Sequence, residues 1–382
     1  ESEEAEKIIL SEENSPRIFA PSQTDEWISA FIDGTYRIVR IGTYWGVPIF
    51  IGNIAASLVE RDILTKQLKE KGTRTSFIVI FFPFKAFCNY FSNKSDEAVK
   101  RVQEFKNYLE NEELYHALSD VKILKGQINI EDIRSKTVWF YSDITFRGRN
   151  ENDILIKGDD IFNESKLITR VKTRIRVLMA ALETLNLKFY KDELHEKVGW
   201  IMMDGALNNF YKYFSADRNQ SERFSQYFNN VIGFIKTIRR YPANLDKSLL
   251  YRLGQDKFVL ATSTESDDEK AVLEEMDEKS LRGQNKWGFI YLRFRVPFGY
   301  PKDAPFHKGL IKLQFKVRNP DSEEEIIKTA QKIVGMILKE RFPVPKDLRR
   351  VWKECVAIEE AEKIAKSRLF SKKWLRNLGY IL

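Results

Sequence analysis

Residues 27–59 read WISAFIDGTYRIVRIGTYWGVPIFIGNIAASLV. Trp27–Asp33 is an apolar run that closes on an acid and is followed by Gly34. Thr35–Ile41 and Val47–Val59 continue it with β-branched and aromatic residues, the composition of strands. Ile41 to Val59 is 19 residues without a charge. Gly42, Gly46, Pro48, Gly52 and Asn53 interrupt it, so it lacks the continuous Leu/Ile/Val character of a spanning helix. Two buried strands joined by a turn at Trp45–Pro48 account for the whole stretch.

Outward from this pair, Phe77–Phe82 (FIVIFF) fits a fully buried strand. Val138–Tyr141, Val198–Met203, Phe289–Val296 and Leu310–Val317 are further strand candidates. Residues 166–186 predict an amphipathic helix, with Ile168, Val171, Ile175, Leu178, Leu182 and Leu185 at three- and four-residue intervals. Residues 323–341 predict another, its face formed by Ile326, Ala330, Ile333, Ile337 and Leu338, and Ser322 and Glu325 have capping-box spacing. Residues 58–71 and 92–135 also have helical patterns, and the tail from 347 is helical and basic. Residues 1–25 read as a flexible arm, and 26–382 as one domain. Alternating strands and helices make the fold α/β, a mixed sheet with flanking helices.

The chain has 382 residues, 43% of them hydrophobic, which is enough for a core and excludes intrinsic disorder. Lys plus Arg is 63 against 55 for Asp plus Glu, a net charge of +8 that suits a polyanionic partner. Cys88 and Cys355 cannot form a disulfide framework or a zinc site, so a reducing, cytoplasmic setting is expected. His116, His195 and His307 are not spaced as metal ligands. No Walker A or GxGxxG motif is present. Nothing in the first 30 residues has the pattern of a signal peptide.

The acids carry the chemistry. FIDG (Asp33–Gly34) and MMDG (Asp204–Gly205) both place an aspartate after an apolar strand, where an uncompensated charge is costly and a divalent cation would stabilise it. The alternative is that each Asp-Gly is a turn. Glu183 lies beside Leu182 at the flank of the predicted helix stripe, where it either reaches a sheet edge or is solvated. Phosphodiester hydrolysis at two hard cations requires carboxylate oxygens rather than thiolates or imidazoles.

FIDGTYR, RVKTRIRVLMAALE ending on Glu183, and VGWIMMDGAL resemble successive signatures of NurA nucleases. VIGFIKTIRR (231–240) is similar to that family's downstream Gly–Lys segment. FPVPKDLRRVWKECVAIEEAEKIAKSRL resembles its C-terminal motif. The matches follow family order over about residues 27–370. The resemblance implies an RNase H-like fold and a homodimeric, Mn²⁺-dependent (or Mg²⁺-dependent) DNA nuclease. Such an enzyme cuts single strands endonucleolytically and ends with 5′→3′ polarity, and it resects double-strand breaks in archaea with the hexameric HerA ATPase. Asp33, Glu183 and Asp204 would then be metal ligands, and Lys236 and Tyr291 phosphate- or water-positioning groups. Glu362 stands where the family carries a histidine. The interval between Asp33 and Glu183 is long for the family, which implies a helical insertion at about residues 84–165. Arg170 and Arg174 could meet phosphates or lie on a solvated face. The aromatic–basic stretch 207–241 could track single-stranded DNA or pack as core. A subunit that keeps the fold but has lost turnover is the runner-up, and a plain nucleic-acid-binding α/β protein the third reading.

Overall fold

The computed structural model describes residues 5–9, 16–62, 64–116, 136–145, 156–194, 199–207, 226–238, 241, 247–264, 287–294, 309–319, 322–340 and 355–378. Their strands are β1 (Ala5–Ile8), β2 (Ile18–Phe19), β3 (Ile28–Tyr44), β4 (Val47–Arg61), β5 (Leu68–Lys71), β6 (Ser76–Phe82), β7 (Tyr115–His116), β8 (Thr137–Asp143), β9 (Trp200–Asp204), β10 (Val231–Ile235), β11 (Phe258–Thr264), β12 (Trp287–Arg293) and β13 (Leu310–Lys316). The helices are α1 (Phe84–Phe91), α2 (Asp96–Asn111), α3 (Glu164–Leu194), α4 (Lys247–Arg252), α5 (Glu323–Glu340), α6 (Val356–Ser367) and α7 (Lys372–Leu378). The fold is mixed α/β. Chain contacts divide it into two units, the first made of residues 1–32, 59–69 and 193–360, the second of 33–58, 70–192 and 361–382.

In the first unit the strand order is β1-β11-β12-β13-β10-β9-β3. Neighbours from β1 to β10 are antiparallel, whereas β10–β9 and β9–β3 are parallel. Parts of the expected arm are sheet: β1 pairs with β11, and so does β2, whose Phe19 stacks on Phe258 at 5.5 Å. Helix α5 packs on β12 and buries Ile326, Ala330, Ile333, Val334 and Ile337. Leu338 is half-buried instead, and Met336 is buried. The N–H of Glu325 donates to Ser322 Oγ at 3.3 Å, half of the expected capping box.

In the second unit the order is β3-β4-β6-β8-β7. The β3–β4 turn falls at Trp45 and Gly46, whose φ angles of 50° and 81° are both left-handed. That is the backbone a two-residue hairpin turn demands. β6 is buried at every position and pairs in parallel with β8. The expected helical insertion carries α1 and α2, but also β8 and β7 within the sheet. Residues 117–135 and 146–155 lie outside the described residues.

The helix expected over 58–71 is absent: β4 runs on to Arg61 and β5 begins at Leu68. Turn chemistry overrides the periodicity. The N–H groups of Leu64 and Thr65 each donate to Asp62 Oδ1 at 3.0 Å, closing an Asx-type turn. These bonds, Thr65 first, hold the Asp62 carboxyl well below the usual range. Among the described residues no helix is long and apolar enough to cross a membrane.

Candidate functional sites

Asp33 lies inside β3, so its Asp-Gly is not a turn. Its side chain is only 4% exposed, and its Oδ1 accepts the N–H of Gly34 at 2.7 Å. Helix α3 passes against the next residue. A Cβ on Gly34 would overlap Glu183 Oε1 and stand 2.7 Å from Met179 Cγ. The glycine therefore makes the room that lets a helical carboxylate lie against the strand. Gly52 on β4 plays the same part for Ile175, 2.6 Å from where its Cβ would be.

Glu183 is 3% exposed. The periodicity placed it at the flank of a stripe, but every residue from Ala180 to Leu187 is buried. In this segment the helix has no solvated face. Two buried carboxylates thus belong to neighbouring elements of the second unit, and they are hard oxygen donors of the kind Mg²⁺ and Mn²⁺ accept. Arg174, one residue before Ile175 on the same helix, is also buried at 4% exposure rather than lying on a solvated face. Arg170 donates to the carbonyl of Thr145 at 3.4 Å. Glu362 sits half-buried on α6 in an ion pair with Lys366 at 2.8 Å, one helical turn away.

In the first unit Asp204 ends β9, and Gly205 follows with φ of +112°. That angle turns the chain sharply, so this second Asp-Gly is indeed at a strand end. Lys236 Nζ lies 3.2 Å from Asp204 Oδ2, with both side chains about one-third exposed. The Lys236 assignment therefore falls beside a predicted acid, just beyond β10, which pairs with β9.

Tyr291 is fully buried in the middle of β12 and stacks on Tyr241 at 6.2 Å. Lys312 on β13 pairs across from it, its Nζ 4.3 Å from the centre of the Phe289 ring and 5.3 Å from that of Tyr291. Gln314, two residues on, accepts the N–H of Leu207 at 2.8 Å. Sequence reasoning passed over Lys312 and Gln314. In LIKLQFK they look like the solvent side of an alternating strand, yet both are buried.

Among the described residues no group of three or more His, Cys, Asp or Glu is placed to hold a metal ion. The donor type fits a hard cation; the number found together does not reach three. Residues 208–225, most of the aromatic–basic stretch, and 341–354 of the C-terminal motif lie outside the described residues.

No family model and no curated protein matches the chain. One similar solved structure is titled "Crystal structure of NurA", with 11% identity over 92% of this chain and 88% of that one and a TM-score of 0.31. So slight a likeness bears on neither fold nor activity.

Proposed function

We propose that the chain is a metal-dependent DNA nuclease of the NurA type, built on an RNase H-like variant of the mixed α/β fold. One observation supports the reading most: the buried Glu183 carboxylate lies against Gly34, the residue after the buried Asp33. Both are hard oxygen donors on neighbouring elements, the donor type that Mn²⁺ and Mg²⁺ accept, and such an ion also does chemistry. Asp33 and Glu183 would hold Mn²⁺ or Mg²⁺; the resemblance makes Asp204 a ligand as well, while no three acids are grouped to hold a metal among the described residues. Bound ions of this kind supply water activation and stabilisation of the departing oxygen.

The protein's own groups do the rest. Lys236 beside Asp204 would orient a phosphate. Tyr291, buried and stacked, would act only through neighbours such as Lys312. Basic side chains elsewhere would draw in the polyanion. The resemblance adds single-strand endonuclease and 5′→3′ exonuclease activity, a homodimer, a HerA-type ATPase partner and resection of DNA breaks, and the sparse cysteines favour a cytoplasmic location.

The test is cleavage of labelled single-stranded DNA with Mn²⁺, with Mg²⁺ and with EDTA, for wild type and Asp33→Ala. Manganese-dependent cutting that disappears in the variant is expected. DNA binding without cutting by wild type would replace this reading with a weakened scaffold subunit. The Lys236–Asp204 ion pair favours that second reading, since it already neutralises one of the three acids.

A further inference from the structure

The segment 367–382, SRLFSKKWLRNLGYIL, holds Arg368, Lys372, Lys373 and Arg376 and no acid. It belongs to the second unit. Within it Trp374 stacks on Phe370, with ring centroids 4.1 Å apart and planes 20° from parallel. Trp374 is nonetheless 39% exposed.

A lone surface tryptophan requires no explanation. What distinguishes this one is how firmly its support is fixed. The N–H of Phe370 donates to Oδ1 of the buried Asn53 at 2.7 Å, and its carbonyl accepts from Arg37. Arg368, two residues earlier, donates to the carbonyls of Ala56 at 2.8 Å and Thr73 at 2.9 Å, and pairs with Glu70. On the other side, Ser371 Oγ accepts the N–H of Trp374 at 3.1 Å, and Leu375 is fully buried. The two rings are thus held from both ends, while Lys372, Lys373 and Arg376 beside them are exposed.

We infer that Trp374, carried on Phe370, is a stacking platform for an unpaired base of single-stranded DNA, with Lys372 and Lys373 meeting the flanking phosphates. A flat, pre-positioned ring with local positive charge matches an unpaired base and its backbone. A duplex keeps its base faces stacked internally and cannot use it. The choice of DNA as the nucleic acid rests on the nuclease reading; the platform itself does not.

The experiment measures binding of the full chain to fluorescein-labelled oligo-dT by anisotropy in EDTA, so cleavage plays no part. Trp374→Ala is expected to weaken binding about tenfold, with Trp374→Phe within about threefold of wild type. Lys372→Ala with Lys373→Ala is expected to flatten the slope of log affinity against log salt by roughly 1.4, the value for two lost contacts to a single strand. Photocrosslinking of wild type to an oligonucleotide carrying bromodeoxyuridine covers the case of a variant that misfolds. A crosslinked peptide containing Trp374 supports the inference, and crosslinks confined to other segments overturn it. Trp374→Ala binding as tightly as wild type also overturns it. Wild type that binds through Trp374 but never cuts with Mn²⁺ would defeat the nuclease reading alone.

Discussion

Glu183 lies against the backbone of Gly34, in the space that a side chain at that position would fill. Helix α3 and strand β3 can approach this closely only because residue 34 has no Cβ. Gly34→Ala should therefore push Glu183 and Met179 away. Overpacking of this kind costs about 1–3 kcal/mol. We expect a lowered denaturant midpoint with the slope unchanged, together with loss of Mn²⁺-dependent cleavage. Wild-type stability in Gly34→Ala would mean that the helix yields freely, and the contact would lose its meaning.

Arg61 and Glu340 form an ion pair in the first unit with side chains 10% and 4% exposed. The Arg61 guanidinium also lies 5.3 Å from the centre of the Trp27 ring and 5.2 Å from that of Phe31. Removing one partner strands a buried charge, so Glu340→Ala should cost about 3–5 kcal/mol, whereas a well-packed Arg61→Met with Glu340→Leu should cost much less. Urea unfolding of the two variants compares them directly. Equal losses would show that the pair itself, rather than the stranded charge, sets the cost.

Burial, with Glu340 as a secondary cause, pushes the Cys355 thiol up to about 12. Burial, with Asp143 as a secondary cause, also raises the half-buried Cys88. At pH 8 neither is appreciably thiolate, the form that reacts. A disulfide reagent should meet Cys88 slowly and Cys355 only after unfolding, when both cysteines of the chain react. Prompt modification of two thiols in the native protein would contradict this.

His116 on β7 titrates below its ordinary 6.5, chiefly through burial, with Arg174 and Lys106 adding to the effect and Asp143 and Glu110 opposing it. Its ring meets Tyr141 edge-on at 5.1 Å. The folded state thus binds fewer protons than the unfolded one as pH falls through about 6.5. Stability should then drop with falling pH in that window and level off above it. His116→Gln should show a shallower decline than wild type between about pH 7.5 and 5.5. Carboxylates contribute a common slope at the acid end, so the difference between the two proteins is the quantity to follow.

Much of the scaffold was legible because the physics is local. The uncharged run around Trp45–Gly46 folds as the hairpin its turn residues require, and the spaced apolar residues of 166–186 form α3. Where distant parts of the chain decide, the pattern misled. Leu58 and Val59 have helical spacing but continue a buried strand, because Asp62 closes a turn just beyond them. For Glu183 the pattern left a solvated position open beside a buried one, because a helix wheel shows one face and nothing local reveals that α3 is covered all round from Ala180 to Leu187. Lys312 was invisible for the same reason, since its burial depends on the aromatic rings of another strand.

Lys236 offers the sharpest test of how Asp204 is used. The pair is about one-third exposed on each side, so it is worth no more than about 1 kcal/mol and its loss should leave the fold intact. Lys236→Met should therefore unfold at nearly the wild-type midpoint. If the lysine positions a phosphate, the cleavage rate should still fall by about tenfold or more, the range expected when one charged contact to the reacting group is removed. The Mn²⁺ concentration for half-maximal activity should fall at the same time, because a cation competing for Asp204 has gone. A variant that cuts at the wild-type rate with an unchanged metal requirement would make the ion pair structural and remove Lys236 from the site.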